Sequence, residues 1–357
     1  MEKKKITLIV LNSSYGGAEK HVYDLVRMLD REKYSINLIT TNNNKLALLV
    51  NNEVCTYRIP RGLNSIFRMR KIIKDINPDI IHMHSPRATF LGMLSVIGLN
   101  KNLVVTAHGW IPERLKLKRI YEKLFIVTIR RSSKIIAVSE QVKEQLIKNR
   151  VNEKKISVIY NGINITSNFN VSQPKKIENK IRFVFLGRFI EEKGIQYLLK
   201  AIEKLEKKYI NKFVVDFYGS GPLEEEVKKT VTVLDLKSVN INGFVEPENV
   251  INILQKYDVF LMPSIQEGFP YTLIEALSTG LIVLASDVGG ISDAIKNGEN
   301  GYLLKPKDPE DIFKKMEIIL NSADYKIKNM KVIAYRSSLN FTLQKMIKSL
   351  EEVYNNL

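Results

Sequence analysis

The feature that most constrains the fold of this chain is an alternation of short apolar segments with helical patterns, which occurs in two successive runs. Short apolar segments bounded by polar residues predict buried strands, and apolar residues spaced three and four apart predict helices. Strands that alternate with helices form parallel sheets covered by helices on both faces. The predicted strands are residues 6–11, 36–40, 80–83, 103–107, 135–138 and 157–160 in the first run, and 182–186, 213–218, 239–242, 259–262 and 281–285 in the second.

Helical patterns and a polar joint complete this outline. Helical spacing is clearest over residues 18–30, 195–208 and 272–278, and the last segment, 330–357, is also predicted to be helical. Residues 161–180 lack periodicity and are rich in polar residues, which is typical of a linker. The sequence therefore predicts the α/β class, with two doubly wound, Rossmann-like parallel-sheet domains.

The formal net charge of this 357-residue chain is +17, and the charge is uneven. Residues 1–170 hold 29 basic and 13 acidic residues, whereas residues 171–357 hold 26 and 25. The apolar content of 45% excludes wholesale disorder. One cysteine, Cys55, excludes an internal disulfide and points to a reducing compartment. No apolar segment approaches the ~18 residues of a membrane helix, and we interpret the apolar N-terminal segment as a strand rather than a signal peptide.

Two basic stretches with interleaved apolar residues lie in the first half. A basic amphipathic helix is typical of an element on a membrane surface, where each basic residue adds roughly 1 kcal/mol of attraction to anionic lipid. We therefore predict contact with an anionic membrane. A solvated face and a nucleic-acid surface are the alternatives. The basic residues are Arg58, Arg61, Arg68, Arg70, Lys71 and Lys74 in the first stretch, and Arg114, Lys116, Lys118, Arg119, Lys123, Arg130 and Arg131 in the second.

Paired glycines mark the first predicted strand-to-helix turn. Gly16 and Gly17 let a backbone approach a ligand closely and place N–H groups at a helix start, which together form an anion site. The alternative is a tight turn in which a glycine takes a positive φ. A dinucleotide fingerprint is not present, because Gly219 and Gly221 are followed by Glu224 where a third glycine would stand.

Two cations follow the first strand of the second run. Arg188 and Lys193 lie five residues apart across a predicted strand-to-helix turn, so both can reach one ligand at the sheet edge. A guanidinium can hold two phosphate oxygens, and an ammonium is a compact charge. The alternative is that both cations pair with Glu191 and Glu192.

An acidic loop follows the predicted strand at 259–262. Glu267 stands beside Gly268 in this loop, and no cation lies nearby in the sequence. A carboxylate without a local partner has no evident structural role, so we predict that it binds a ligand.

The helix after this loop offers a second anion site. N–H groups from Tyr271 to Leu273 are predicted to be free at the helix start. Glu275 lies on the same helix. The spacing Thr272-x-x-Glu275 has the form of a capping box, which is a structural alternative for this carboxylate.

All four histidines, His21, His82, His84 and His108, lie in the first half. His108 follows the predicted strand at 103–107, at the edge where ligands bind. A zinc site from His82, His84 and His108 is an alternative, but no carboxylate or thiolate has clear ligand spacing. No Asp-x-Asp pair is present, so Arg, Lys and backbone dipoles must stabilise a bound diphosphate. We therefore expect no metal and no cofactor.

An ordered set of motifs over residues 6–305 resembles family 4 glycosyltransferases, which are retaining enzymes of the GT-B fold. The set is more specific than any one of its members. Its members are Gly16-Gly17-Ala18-Glu19, Thr106-Ala107-His108-Gly109, Ala137-Val138-Ser139-Glu140, Val158-Ile159-Tyr160-Asn161-Gly162-Ile163, Gly187-Arg188 with Glu192-Lys193-Gly194, Tyr218-Gly219-Ser220-Gly221-Pro222, Glu267-Gly268-Phe269-Pro270 with Glu275, the segment 280–287, Gly289-Gly290, and Asn297-Gly298-Glu299-Asn300-Gly301.

The resemblance implies two domains that face a cleft and a nucleotide-sugar bound by the second domain, as a substrate rather than a cofactor. By resemblance, Arg188 and Lys193 contact the diphosphate, Glu275 the ribose and Glu267 the sugar hydroxyls. His108 is expected to touch the donor sugar. The implied catalytic residues are His108, Glu267, Arg188 and Lys193, without a protein nucleophile, and the implied donor-binding residues are Gly16, Gly17, Gly187, Arg188, Lys193, Gly219, Gly268, Phe269, Pro270, Tyr271, Thr272, Leu273 and Glu275.

The resemblance also implies the division of labour along the chain. Residues 1–170 would bind the acceptor, residues 171–335 the donor, and residues 336–357 would form a helix that returns to the first domain. The expected reaction is metal-independent, retaining transfer of a hexose or N-acetylhexosamine, with a UDP-sugar as the expected donor, to a lipid-linked or polysaccharide acceptor in bacterial surface glycan synthesis. We expect a cytoplasmic protein on the inner face of the membrane that binds no nucleic acid. A nucleotide-sugar epimerase or hydrolase and a basic nucleic-acid binder are the alternatives.

Overall fold

The computed structural model of the protein describes residues 2–12, 15–62, 64–109, 118–165 and 180–357, with the backbone alone at residues 118–121. The chain divides into two compact units. Unit 1 comprises Met1–Asn161 and Leu343–Leu357, and unit 2 comprises Gly162–Thr342. Most of the predicted linker at 161–180 lies outside the described residues.

The described part of unit 1 contains a seven-stranded parallel sheet. Its strands are β1 (Lys4–Val10), β2 (Tyr34–Thr41), β3 (Cys55–Ile59), β4 (Ile80–His84), β5 (Asn102–Ala107), β6 (Lys134–Ala137) and β7 (Ile156–Val158). Their order is β3-β2-β1-β4-β5-β6-β7, so the direction of winding reverses between β1 and β4. Ligands of doubly wound sheets bind at the carboxyl ends of the strands beside this reversal.

Helices cover both faces of this sheet. Val22, Leu25 and Val26 of the first helix are fully buried, because their helical spacing places them on one face. The third and fourth helices pack on each other, as do the fourth and fifth. The helices are α1 (Gly17–Met28), α2 (Lys45–Leu49), α3 (Asn64–Ile76), α4 (Pro86–Ser95), α5 (Lys118–Ile129) and α6 (Glu140–Lys148).

The described part of unit 2 repeats the same design with a six-stranded parallel sheet. Its strands are β8 (Ile181–Leu186), β9 (Phe213–Tyr218), β10 (Val239–Ile241), β11 (Val259–Met262), β12 (Ile282–Ser286) and β13 (Gly301–Leu304). Their order is β10-β9-β8-β11-β12-β13, so winding reverses between β8 and β11. The loops after β8 and β11 are therefore neighbours at one sheet edge.

The helices of unit 2 follow its strands. Leu198, Ile202 and Leu205 lie on one face of the first helix and are fully buried in the core. This helix packs against the sixth helix of the unit. The helices are α7 (Ile195–Lys208), α8 (Glu224–Val233), α9 (Val250–Leu254), α10 (Tyr271–Ser278), α11 (Ile291–Ala294), α12 (Pro309–Leu320) and α13 (Asp324–Ser338).

The last helix, α14 (Leu343–Asn355), belongs to unit 1. It packs against α1, and Leu350 and Tyr354 are almost completely buried in the core of that unit. The Tyr354 hydroxyl lies 2.6 Å from His82 Nδ1 of β4. The C-terminal segment thus crosses from unit 2 and completes the core of unit 1.

The structure confirms the predicted fold class and corrects some boundaries. The edge strands β3 and β13 were not predicted, and the single helix predicted over 330–357 is two helices, α13 and α14, with a break between them. Unit 2 extends to Thr342 rather than 335, and α14 begins at Leu343 rather than 336. The longest described helix, α13, has 15 residues, and none of the described helices is long and apolar enough to cross a bilayer.

Candidate active site

The loops after β8 and β11 meet at the carboxyl edge of the unit 2 sheet. Lys193 ends a short 3-10 turn, Glu191–Lys193, after β8, and Glu267 lies in the loop after β11. Lys193 Nζ donates to Glu267 Oε1 at 2.5 Å, and the two side chains are 22% and 10% exposed. The structure therefore joins two predicted ligand-binding residues that are 74 positions apart in the sequence.

A close approach at Gly194 and a backbone hydrogen bond hold these loops together. Gly194 has a φ of +68°, and a Cβ there would lie 1.9 Å from the carbonyl oxygen of Pro263. Only glycine fits such a position, because both the backbone angle and the space exclude a side chain. The N–H of Ile265 donates to the carbonyl of Glu192 at 2.8 Å. The loop that carries Lys193 is thus fixed on the loop that carries Glu267.

The surroundings of Glu267 correct its sequence interpretation. No cation lies near Glu267 in the sequence, but in the folded protein Lys193 forms an ion pair with it. The Ser264 hydroxyl donates to the same oxygen, Oε1, at 2.7 Å. Ser264 is fully buried, so it holds the carboxylate in place from the protein side. Sequence analysis missed Ser264, whose only signal is its position directly after β11.

Arg188 is exposed at the same edge. Its side chain makes no ion pair or hydrogen bond with any residue that the structure describes. The predicted alternative, in which Arg188 and Lys193 pair with Glu191 and Glu192, is wrong on both counts, because Lys193 pairs with Glu267 instead. Arg188 therefore presents a guanidinium whose hydrogen-bond donors are available to a ligand.

Gly187 and Gly219 bring the loop after β9 to the same place. A Cβ on Gly219, whose φ is +142°, would lie 1.9 Å from the Gly187 carbonyl oxygen. The Gly187 N–H donates to the Tyr218 carbonyl at 3.0 Å. A Cβ on Gly221 would similarly meet the Phe189 carbonyl at 2.5 Å. These glycines allow close backbone packing beside Arg188, and this packing explains them without a dinucleotide.

The loop after β12 supports Glu267 and Gly268 from the other side. The Gly290 N–H donates to the Gly268 carbonyl at 2.6 Å. Gly289 has a φ of +61°, and a Cβ there would lie 2.5 Å from the carbonyl oxygens of both Glu267 and Gly268. Gly289 and Gly290 were noted only as part of the family pattern. The structure gives them a physical role in fixing the acidic loop.

The segment 269–275 is largely built into the core. Phe269 is 2% exposed and its ring packs on Phe341 at 4.9 Å, so its side chain is a core residue. Helix α10 begins at Tyr271 with Pro270 at the N-cap. The Leu273 N–H donates to the Pro270 carbonyl at 3.2 Å, so this donor is not free as predicted.

Glu275 is half-buried within α10. Thr272 lies inside the helix rather than at its cap, so the capping-box interpretation of Glu275 is wrong. Thr272 and Glu275 are three residues apart and share a face of α10. Glu275 lies about one turn into α10, in the same loop-and-helix segment as Glu267.

The start of α1, where Gly16 and Gly17 were predicted to form an anion site, differs from the prediction. Gly16 has an extended φ of −154°, and neither Gly16 nor Gly17 takes a positive φ, so the tight-turn alternative is wrong. The Gly16 N–H is not free, because it donates to Glu19 Oε2 at 3.0 Å. Burial raises the pKa of the Glu19 carboxyl, against the lowering effect of its hydrogen bonds. The start of α1 therefore carries its own acidic partner.

The four histidines of the chain form one cluster in unit 1. His82 and His84 lie on the same face of β4, with ring centroids 4.1 Å apart. His84 Nδ1 lies 3.2 Å from His108 Nε2. The ring of His21, on α1, is 5.4 Å from that of His84 and 5.0 Å from that of His108. Sequence analysis brought His82, His84 and His108 together only as an alternative zinc site and did not place His21 beside them.

Burial keeps this cluster uncharged. His82 Nε2 lies 2.7 Å from the Thr106 hydroxyl, and His21 Nδ1 lies 3.0 Å from Asn161 Oδ1. Burial lowers the pKa of His21 to about 4. Burial first, and neighbouring histidines second, hold the pKa values of His82, His84 and His108 well below the ordinary range. The imidazoles are therefore neutral at physiological pH.

The zinc alternative does not fit this geometry. Both ring nitrogens of His82 contact hydroxyl groups, of Tyr354 and Thr106, and His84 and His108 contact each other. A zinc ligand needs a free ring nitrogen aimed at the ion. Among the residues that the structure describes, no group of three or more metal-ligating side chains is arranged to hold a metal ion.

The two basic stretches lie partly on described helices of unit 1. Arg114 and Lys116 lie outside the described residues, and the side chains of Lys118 and Arg119 are not described. Arg70 donates to the carbonyls of Ser95 and Ile97 at 3.1 and 2.7 Å, so it caps the end of α4. The remaining described members, Arg58, Arg61, Arg68, Lys71, Lys74, Lys123, Arg130 and Arg131, are exposed.

Comparison with known families assigns a family to each half of the chain. Residues 15–167 match the model described as Glycosyltransferase Family 4. Residues 167–336 match the model described as Glycosyl transferases group 1. The two matches meet at residue 167, close to the start of unit 2.

Similar proteins cover nearly the whole chain. In an alignment of 379 positions, the chain is 26% identical to the UDP-Gal:alpha-D-GlcNAc-diphosphoundecaprenol alpha-1,3-galactosyltransferase of Escherichia coli, with 99% of this chain and 97% of that protein covered. It is 27% identical over 367 residues to the capsular polysaccharide biosynthesis glycosyltransferase CapH of Staphylococcus aureus, with 98% of each covered. The structure of Anabaena Alr3699/HepE in complex with UDP-glucose matches with a TM-score of 0.85 at 18% identity, covering 99% of this chain and 100% of that one.

Proposed function

This chain belongs to the glycosyltransferases described by the two matching family models, and from that membership we propose a specific reaction for it. The reaction is transfer of a hexose or N-acetylhexosamine from a UDP-sugar to a lipid-linked or polysaccharide acceptor of the bacterial cell surface. The anomeric configuration is retained, and no metal ion takes part. The observation that carries the proposal is the convergence of Arg188, Lys193 and Glu267 at one sheet edge of unit 2.

The two cations suit the diphosphate of the donor. Arg188 can bind two phosphate oxygens through its guanidinium, which no described residue engages. Lys193 carries three N–H donors and uses one on Glu267, so two remain for a phosphate. Fixed cations aimed at the charge that develops on a leaving group lower the barrier by about 3 kcal/mol or more each. This is the main catalytic contribution that we propose for unit 2.

The carboxylates suit the hydroxyl groups of the donor. Glu267 is oriented by Lys193 and Ser264, so its second oxygen can accept from the hydroxyls of the transferred sugar. Glu275, about one turn into α10, is proposed to accept from the ribose hydroxyls. For His108 of unit 1 we propose contact with the donor sugar, and its neutral imidazole can accept or donate a hydrogen bond without adding charge.

Retention needs no protein nucleophile in this proposal. The acceptor hydroxyl attacks the anomeric carbon from the side on which the diphosphate leaves, and the departing phosphate oxygen takes the hydroxyl proton. The bond from the anomeric carbon to the phosphate oxygen breaks as the new glycosidic bond forms. Lys193 and Arg188 hold the negative charge that remains on the nucleoside diphosphate.

The choice of donor and acceptor is supported by the similar proteins. One relative is named for UDP-Gal and a diphosphoundecaprenol acceptor, and another for capsular polysaccharide biosynthesis. A protein of the same fold has been solved with UDP-glucose. The exposed basic residues of α3 and α5 suit an acceptor presented at an anionic membrane, and Phe67 of α3, 75% exposed, offers an apolar contact beside Lys71.

The proposal is tested by titration calorimetry with UDP-, GDP- and ADP-sugars, followed by product analysis with a diphosphopolyprenyl glycan acceptor. We expect saturable binding of a UDP-sugar and an acceptor-dependent glycoside with the donor's anomeric configuration. Lys193→Met should weaken UDP binding at least tenfold, while Lys200→Met, an exposed lysine on α7, should leave it unchanged. Free sugar or an epimerised nucleotide-sugar as the sole product would replace this proposal with a hydrolase or an epimerase.

A further inference from the structure

A groove of about 530 Å³ lies on unit 1 between α5 and the end of α6. Its lining is strongly basic, with one acidic residue, Glu122, among the described residues that form it. Aliphatic side chains lie between the cations. The residues that matter here are Lys123, Ile126, Val127 and Arg130 from the α5 segment, and Lys148 and Arg150 from the end of α6.

One face of α5 supplies both charge and apolar surface. Lys123, Val127 and Arg130 follow each other at i, i+4 and i+7, so they lie along one side of the helix. Val127 is 50% exposed and Leu124 is 39% exposed, whereas Ile126 is 6% exposed and forms the floor. Uncovered aliphatic groups beside cations suit a ligand that is both anionic and apolar.

The opposite wall is held in a fixed geometry. Arg130 Nη2 donates to the Asn149 carbonyl at 2.6 Å, which ties α5 to the end of α6. Lys155 Nζ donates to the carbonyls of Arg130 and Ser132 at 3.2 and 3.0 Å. Arg150 has a φ of 58°, a left-handed conformation that a non-glycine residue seldom adopts. Arg130 is thus placed by a backbone contact, whereas Lys148 pairs with Glu144 at 3.7 Å.

We propose that this groove binds the phosphate headgroup of an anionic glycerophospholipid, with its first acyl methylenes on Val127. Lys123 and Arg150 make no ion pair within the described part of the chain, so both can bind a phosphate diester. A favourable interaction with the dipole of α6 explains Lys148 and Arg150 at its carboxyl end, but not Lys123 on α5 or Arg130 directly after α5. This inference deepens the proposed membrane association and rests on it.

The test is binding of a monomeric short-chain lipid, since diffuse surface charge does not produce a saturable site for one molecule. The probes are dihexanoyl phosphatidylglycerol below its micelle concentration, dihexanoyl phosphatidylcholine, and glycerol 1-phosphate, each titrated by calorimetry and by NMR shift mapping. We expect saturable binding of phosphatidylglycerol, at least tenfold weaker binding of glycerol 1-phosphate, and none of phosphatidylcholine. Shifts should map to α5 and the end of α6.

Two double variants, each of which removes two positive charges, distinguish a specific lipid site from general electrostatic attraction. Lys123→Gln with Arg150→Gln should weaken phosphatidylglycerol binding about tenfold or more, and Lys200→Gln with Lys229→Gln, which removes two exposed cations from α7 and α8 of unit 2, should not. Thermal unfolding checks that each variant folds. Val127→Thr, nearly equal in shape, should weaken binding of the lipid but not of glycerol 1-phosphate.

Several outcomes would overturn the groove site. The first is an equal loss of lipid affinity in the two double variants, and the second is glycerol 1-phosphate binding as tightly as the lipid. The others are tighter binding of duplex RNA than of phosphatidylglycerol vesicles, and the absence of saturable lipid binding. Calorimetry with a UDP-sugar on the same sample tests the proposed function separately. Donor binding without lipid binding would remove the groove inference alone, and lipid binding without donor binding would remove the proposed glycosyl transfer alone.

Discussion

The two units share a doubly wound sheet but place charge at its carboxyl edge in different ways. In unit 2, Lys193 and Glu267 pair at 2.5 Å between the loops after β8 and β11. In unit 1, the ends of β4 and β5 carry neutral imidazoles, and the basic residues lie on helices such as α3 and α5. Burial penalises an isolated charge, and the two edges avoid that penalty by pairing in one case and by neutrality in the other. One scaffold thus carries two chemistries, set by the side chains after its strands.

The largest expected effect concerns the charged edge of unit 2. Arg188→Ala should lower kcat/KM for glycosyl transfer by ~10²–10³, because it removes a cation from the leaving diphosphate. Arg336→Ala, at an exposed arginine of α13 in the same unit, should have no effect. Steady-state kinetics with a saturating acceptor measures both. Unchanged turnover in Arg188→Ala would mean that this edge is not the donor site.

Two glycines of unit 2 test how the charged edge is held together. Gly194→Ala should destabilise the protein by about 3 kcal/mol or more, because the new Cβ strains a left-handed residue and meets the Pro263 carbonyl. Gly243→Ala introduces the strain alone, since nothing lies within 4 Å of its Cβ, and should cost about 1 kcal/mol. Urea unfolding gives both values. Equal losses would show that the contact between the loops is unimportant.

The neutral edge of unit 1 predicts a pH dependence that unit 2, which has no histidine, cannot share. His21, His82 and His84 have lowered pKa values in the folded protein, so below about pH 6.5 the unfolded chain binds protons that the folded chain does not. Their stabilisation is present above pH 6.5 and falls with acidification, by up to about 1.4 kcal/mol per pH unit for each histidine.

Urea unfolding between pH 7.5 and 5.5 measures this slope. The double variant His21→Gln with His84→Asn removes two of the titrating rings and should flatten the slope, whatever its effect on stability at pH 7.5. A slope identical to that of the unchanged protein would show that the imidazoles do not titrate as a buried cluster.

A smaller effect is expected where α14 meets the histidine cluster. Tyr354→Phe keeps the buried ring but removes the hydroxyl that contacts His82 Nδ1, and a buried nitrogen without a partner costs about 1–3 kcal/mol. Tyr34→Phe removes a partly exposed hydroxyl bond to Asn355 on the same helix and should cost about 0.5 kcal/mol. Thermal unfolding compares the two. A larger loss in Tyr34→Phe would contradict the role of the cluster.

The smallest expected effect is that of chelation. EDTA should leave the transfer rate unchanged, because Arg188 and Lys193 are proposed to hold the charge of the diphosphate. Rates measured before and after exhaustive chelation give the answer. Loss of activity that Mn²⁺ or Mg²⁺ restores would place a metal ion at the charged edge and end the metal-independent mechanism.

The sequence predicted the elements better at the centres of the sheets than at their edges. Strands 213–218 and 259–262 and helix 195–208 were predicted to the residue, because the strands are rich in apolar residues and the apolar residues of the helix recur at helical spacing. Strand β3 was missed because it lies at the edge of its sheet, with Ile59 as its fully buried residue and the others partly or largely exposed. Strand β13 was missed because it has four residues and follows a turn, and so short a segment shows no clear strand periodicity.

Local sequence patterns were enough to predict two doubly wound sheets and to place Arg188, Glu267 and His108 in the segments that follow strands, because hydrophobic periodicity and turn residues are local. The pairing of Lys193 with Glu267 and the cluster of four histidines became visible in the folded protein alone, whereas the return of α14 to unit 1 was expected from the family resemblance and not from a local pattern. These contacts depend on strand order and on close backbone approaches, such as that of Gly194 to Pro263, between residues far apart in the chain. No local pattern encodes which distant loop will lie beside a given residue.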